Sequence, residues 1–228
     1  MDDFSITDER LLRALDELRW VNRLLGGYAT TMRVLAPYLE ARRGRAVRLL
    51  DLGAGVGDYA EHLVRWADRR GLDVFVTAVD ANPATVAHAR RTLDRRLPPK
   101  LRARIDVVVA DALALPYADD AFDGVMAAMF MHHFEAEDAV TLVREMNRVA
   151  RDGILVNDLH RHPLAYYGIL APARLLPVSP MFRHDAPVSV LRGFRRADLE
   201  AVARDAGLEA YRIRRHWAFR WSLDTLPA

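Results

Sequence analysis

Acidic or amide side chains recur at or just past the ends of short apolar runs: Asp51, Asp80, Asp111 and the pair Asn157–Asp158. Between the first two lies a glycine-rich loop, LLDLGAGVGD (49–58), with glycines at 53, 55 and 57. Glycines at this spacing let a backbone turn tightly and approach a ligand closely. One aspartate after a strand need do no more than cap a turn, but the recurrence points to a shared binding rim. A second reactive set is imidazole. Of eight histidines, His132, His133, His160, His162 and His184 fall in the later half of the chain, near the expected mouth of such a rim. Imidazoles there are candidates for proton transfer. The H-x-H at 160–162 could ligate a metal, but no carboxylate stands at a diagnostic interval, so no metal site is expected.

The loop discriminates between ligands. A dinucleotide fingerprint places its third glycine where Asp58 stands, and here that glycine comes one residue early. Asp51, directly before the loop, would repel a pyrophosphate and attract a cation. S-adenosylmethionine carries a sulfonium and an ammonium, and an acid beside the loop suits both. Asp80 ends the next apolar run, 23 residues beyond Gly57, where a carboxylate can accept both ribose hydroxyls. Asp111 follows the third run, placed for the adenine amine, with the Ala112 amide as donor to the ring.

The elements that must position these groups alternate in type. VRLLDL (47–52), VFVTAVD (74–80), IDVVVAD (105–111), FDGVMAAMF (122–130) and GILVNDL (153–159) read as buried strands. Helices are expected over 58–70, from Pro83 to about Arg96 behind an Asn82 cap, over 135–151 and over 195–206, with a terminal hairpin over about 208–223. Such alternation predicts an α/β fold, a doubly wound, mostly parallel sheet whose ligands lie at the strands' carboxyl ends. Residues 1–46 form a predicted N-terminal helical cap, with Trp20, Asn22 and Tyr28 as lid residues and Gly26-Gly27 as a hinge. Residues 47–228 form the main domain, with an insertion at about 160–195.

From about 47 to 160 the chain resembles class I S-adenosylmethionine-dependent methyltransferases, in the small-molecule branch that includes the ubiquinone/menaquinone C-methyltransferase type. The pieces that carry the resemblance are DLGAGVGD, AVDANP (78–83), ADALALPYADDAFDGV (110–125) and MFMHHF (129–134). The resemblance implies a seven-stranded Rossmann-like sheet in the order 3-2-1-4-5-7-6 with the last strand antiparallel. It implies S-adenosyl-L-methionine as cofactor. The cofactor set is then Asp51, Gly53, Gly55 and Gly57 at the methionine end, Asp80 and Ala81 at the ribose, Asp111 and Ala112 at the adenine, and Met129.

An oxygen or carbon acceptor must lose a proton during methyl transfer. His133 is the favoured base, His160 the second, with Asp158 as orienting partner. Tyr28, His132, Tyr166, Tyr167 and Met181 are candidate acceptor contacts. The apolar, aromatic-rich stretch 163–193 fits a wall or lid for an apolar or aromatic molecule, phenolic, quinone-like or polyketide-like. Two alternatives stay open: an S-adenosylmethionine-binding enzyme with non-methylating chemistry, and a nicotinamide-dependent oxidoreductase.

Composition sets outer bounds. The chain has 228 residues, 33 basic and 31 acidic, and no cysteine. That excludes thiolate metal sites, a disulfide framework and a cysteine nucleophile. A net charge of +2 is no nucleic-acid footprint, and the segment after the fourth strand lacks the Asn/Asp-Pro-Pro-aromatic motif of methyltransferases acting on nucleic-acid amines. The most apolar stretch, 163–182, holds four prolines and Arg174, which argues against stable membrane insertion. A cytoplasmic monomer or homodimer with a small-molecule acceptor is the resulting expectation.

Overall fold

The computed structural model describes residues 26–175 and 178–227, with the side chains of 171, 172, 175 and 181 outside the description. Seven strands form one sheet: β1 (Val47–Leu52), β2 (Val74–Asp80), β3 (Ile105–Val109), β4 (Phe122–Ala128), β5 (Ala150–Leu159), β6 (Arg212–His216) and β7 (Arg220–Asp224). Their order is β3-β2-β1-β4-β5-β7-β6, as the resemblance implies. The pairings from β3 through β5 are parallel, and β7 is antiparallel to both β5 and β6.

The helices are α1 (Gly27–Glu40), α2 (Asp58–Asp68), α3 (Pro83–Arg96), the short α4 (Pro99–Arg102), α5 (Ala136–Val149), α6 (Pro163–Leu175), α7 (Pro180–Arg192) and α8 (Arg196–Asp205). Strand side chains alternate between faces, and β1 shows how the two cores separate. Val47 and Leu49 pack with α1, α2 and α3 on one face. Leu50 and Leu52 pack with α5 and α8 on the other. Both faces are therefore covered, which is why the central strands read as nearly continuous apolar runs.

Local chemistry starts the helices where expected. The Asn82 side chain accepts from the N–H groups of Ala84 and Thr85, with Pro83 in the first turn. Helix α1 is tied to the carboxyl end of β5, where Asn157 Nδ2 donates to Gly27 O and Thr31 Oγ1. Gly26 takes a left-handed conformation (φ 70°) just before α1. The predicted apolar helix before it, with Trp20 and Asn22, lies outside the described residues.

Several boundaries differ from expectation, three of them informatively. β5 begins at Ala150, because Ala150 pairs with Phe122 of β4 and that pairing outweighs the helical pattern predicted to Arg151. β3 ends at Val109, leaving Asp111 in the following turn. The stretch 163–192 is a pair of helices, because Pro163 and Pro180 open them at positions where a missing N–H costs nothing. Among the described residues no helix is long and apolar enough to cross a membrane.

Candidate active site

The chain runs outward from β1 through β2 to β3, then returns to place β4 on the other side of β1. That reversal opens a crevice at the carboxyl ends of β1 and β4. A cavity of about 850 Å3 occupies it.

Its polar end is built by the turns after β1, β2 and β3. Asp51 is 2% exposed, and its Oδ2 has no hydrogen-bond partner. Burial raises the Asp51 pKa well above its usual range, and the nearby Asp58 and Asp80 carboxylates add to the effect. A buried carboxyl under this pressure is relieved by a cation. Asp80 ties the second strand to the glycine loop, since its Oδ2 accepts from Gly55 N–H (3.1 Å) and its Oδ1 from Asn82 N–H (2.9 Å). Burial raises the Asp80 pKa as well, opposed by those two N–H groups. Gly53 is required by two facts together: its φ is +63°, and a Cβ there would lie 2.1 Å from the Phe130 ring.

Gly53, Gly55, Ala81, Asp111, Ala112 and Met129 all line this cavity with Asp51 and Asp80. Gly57 does not; it is the left-handed residue that starts α2. Asp111 is exposed, with Oδ1 accepting from Leu113 N–H, so one oxygen is committed to the turn. Met129 carries a φ of 58°, rare for a side chain of its size, at the point where its N–H donates to Asn157 O.

The residues present fit S-adenosylmethionine on grounds internal to the site. An orphaned, buried carboxylate oxygen calls for a cation, and a glycine cradle lets the backbone approach. A second carboxylate stands at the rim.

The histidines sort differently from expectation. A short 3₁₀ turn, Met131–His133, follows β4. His132 is 4% exposed, and its Nδ1 lies 2.7 Å from Asp158 Oδ1, while Asp158 Oδ2 accepts the His132 N–H. Burial alone would raise the Asp158 pKa; the charge and hydrogen bonds of His132 bring it below its usual value. Asp158 is thus the orienting partner of His132, not of His133 or His160. Since a carboxylate only accepts, the His132 Nδ1 carries a proton and donates it to Asp158. His133 lines the same cavity, with its ring centroid 4.3 Å from that of His132. His160 is not among the lining residues; its ring packs against Trp221, His162 and Phe219.

Of the expected acceptor contacts whose side chains are described, only His132 lines the cavity. Tyr28 donates to Asp58 Oδ2 (2.6 Å) and stacks on His62, bracing the glycine-loop side. Tyr166 and Tyr167 lie on α6 and do not line the cavity, and Tyr167 is 65% exposed. The Met181 side chain lies outside the described residues. The apolar wall comes instead from Leu164 and Ile169 of α6, Phe182 and Val190 of α7, and the β6–β7 hairpin tip (217–219). Sequence reasoning also missed Tyr59, whose buried hydroxyl has no partner and lines the cavity near Asp51 and Asp58.

Comparison with known proteins defines the class first. Residues 49–153 match the family described as "Methyltransferase domain". The solved structures agree on the fold. A SAM-dependent methyltransferase from Aquifex aeolicus superposes with a TM-score of 0.64 at 16% identity, covering 94% of this chain and 97% of that one. Magnesium protoporphyrin IX methyltransferase from Synechocystis PCC 6803, solved with bound SAH, gives 0.59 at 16% identity over 89% and 84%.

Particular relatives follow. The chain is 38% identical over 145 residues to a demethylmenaquinone methyltransferase of Roseiflexus sp. (strain RS-1), covering 61% of this chain and 52% of the relative. It is 40% identical over 106 residues to methyltransferase GfsG of Streptomyces halstedii, covering 46% and 34%. The chain thus spans about half the length, or less, of these curated relatives.

Proposed function

We propose that the chain is an S-adenosylmethionine-dependent methyltransferase acting on a small apolar or aromatic molecule through an acidic O–H or C–H. The observation that carries this reading is a single cavity holding an Asp51 carboxyl with one unpartnered oxygen, a buried His132–Asp158 pair and an apolar wall. The methyltransferase names of its relatives support it.

Bound at the glycine loop, S-adenosylmethionine would supply a methyl group made electrophilic by a sulfonium. Asp51 would hold the ammonium and Asp80 the ribose, with Asp111 and Ala112 at the adenine. The walls of α6 and α7 exclude water and orient the acceptor, which is most of what an in-line displacement needs. His132 accepts the acceptor's proton at Nε2 while Nδ1–H stays on Asp158. The imidazolium formed is stabilised by that carboxylate, which is itself buried. An amine acceptor would need no such base, which makes oxygen or carbon the better-supported target.

The test is incubation with methyl-labelled S-adenosylmethionine and a panel of phenols, enols and amines. Transfer to phenols or enols, reduced at least ~100-fold by His132→Gln, fits the proposal. Tight cofactor binding with no labelled product from any acceptor would favour non-methylating chemistry on the same scaffold.

A further inference from the structure

The β6–β7 hairpin restricts the acceptor further than the general apolar character of the cavity does. Its three-residue tip, Trp217-Ala218-Phe219, joins His216 to Arg220, and all three tip residues line the cavity. Trp217 is 75% exposed while lining the cavity, so it stands where the cavity meets solvent with much of its ring uncovered. Ala218 and Phe219 both adopt left-handed backbone conformations (φ 58° and 55°). Non-glycine residues hold that geometry only when their surroundings enforce it. Here Phe219 O accepts the His160 N–H (2.8 Å) and the Phe219 ring stacks on His162 (5.0 Å, 28°). The tip is therefore a fixed platform.

Charged groups of both signs surround that platform. Arg215 is exposed and lines the cavity beside Trp217. His216 also lines it, and its pKa is held down by burial first and then by Arg33 and Arg214, with Asp224 opposing. Asp224 is already engaged by Arg212 and Arg214. From α7, Asp185 lines the cavity as well, with the His184 Nδ1 at 3.0 Å from its Oδ1. The hairpin side of the mouth is thus an open aromatic face with one exposed guanidinium, Arg215, beside it and the Asp185 carboxylate on α7.

We propose that Trp217 and Arg215 form an acceptor-selecting rim that admits planar hydroxyaromatic molecules, neutral or anionic, in preference to aliphatic or cationic ones. This rests on the reading of the cavity as the methyl-transfer site. The Trp217 face offers a ring pairing that an aliphatic chain cannot use. Arg215 adds attraction for a phenolate or ring carboxylate and repels an ammonium.

Binding to protein saturated with S-adenosylhomocysteine tests it, using 2-naphthol, 1-hydroxy-2-naphthoate, 1-decanol and 1-naphthylmethylammonium as probes. The wild type is expected to bind both hydroxynaphthalenes more tightly than decanol or the ammonium. Trp217→Ala should weaken both hydroxynaphthalenes about threefold to tenfold and leave decanol within twofold, while Trp217→Phe keeps most of the affinity. Arg215→Gln should weaken hydroxynaphthoate and leave 2-naphthol alone. Unchanged naphthol affinity in Trp217→Ala, or tighter decanol or ammonium binding by the wild type, would overturn the rim. So would loaded protein that binds no aromatic probe, an outcome that leaves the cofactor assignment standing. Failure to bind S-adenosylhomocysteine at all would instead remove the underlying functional reading, and the rim with it.

Discussion

Replacing Asp51 by Asn separates binding from stability at one atom. In the free protein the Asp51 carboxyl is buried, its Oδ2 lacks a partner, and its pKa is pushed up by burial and by Asp58 and Asp80. A pKa raised in the folded state means the stabilising contribution is complete below the ordinary value and is lost as pH rises through the folded value. The stability difference between the ligand-free wild type and Asp51→Asn should therefore shift in the variant's favour as pH rises through the folded Asp51 value. At neutral pH the variant should gain about 1 kcal/mol or more, the lower end of the cost of an unsatisfied buried group. For a chain of this size that is a Tm increase of about 2–4 °C.

Cofactor binding should move the other way. Losing a charge-assisted hydrogen bond costs about 1.5–3 kcal/mol, so S-adenosylhomocysteine should bind roughly tenfold to 150-fold more weakly. Proton release adds a direct signature. At about pH 5, roughly one unit above the ordinary carboxyl pKa, ligand binding to the wild type should expel up to about one proton as the ammonium ionises Asp51. Calorimetry in buffers of different ionisation enthalpy reads that proton, and Asp51→Asn should abolish it. Wild-type affinity and undiminished proton release in the variant would refute the reasoning.

Three further outcomes are expected. Asp158→Asn should lower kcat without changing S-adenosylhomocysteine affinity, because it frees the His132 ring from its tautomer; kcat equal to wild type would remove the pair from catalysis. Asp80→Ala should weaken cofactor binding by ~1–3 kcal/mol and loosen the loop that Gly55 N–H anchors, measured by the same titration. Tyr167→Ala, on an exposed position away from the cavity, should change stability by less than about 0.5 kcal/mol and leave turnover unaltered, as thermal unfolding and a methyl-transfer assay would show.

The sheet was legible because strands buried on both faces are apolar throughout, and because Asp51 and Asp80 sit at or beside the carboxyl ends of their strands. The Phe-Asp of the third motif piece proved structural: Asp123 is buried and accepts from the Arg48 N–H at 2.8 Å. The choice between adjacent imidazoles was not legible. His132 and His133 share a 3₁₀ turn, and which ring meets Asp158 depends on how that turn leaves β4, a matter of tertiary geometry. Tyr166 and Tyr167 fall outside the cavity lining because composition marks a segment as aromatic but not which helical face turns inward. The hairpin tip was hidden altogether. Trp-Ala-Phe carries no glycine or asparagine to announce a left-handed turn, and only its fixed surroundings hold it in that form.

The most direct test of the central claim is calorimetric titration of the wild-type protein with S-adenosylhomocysteine and, separately, with NAD. One saturable site for S-adenosylhomocysteine and no heat from NAD is the predicted result. Binding of NAD without binding of S-adenosylhomocysteine would contradict it.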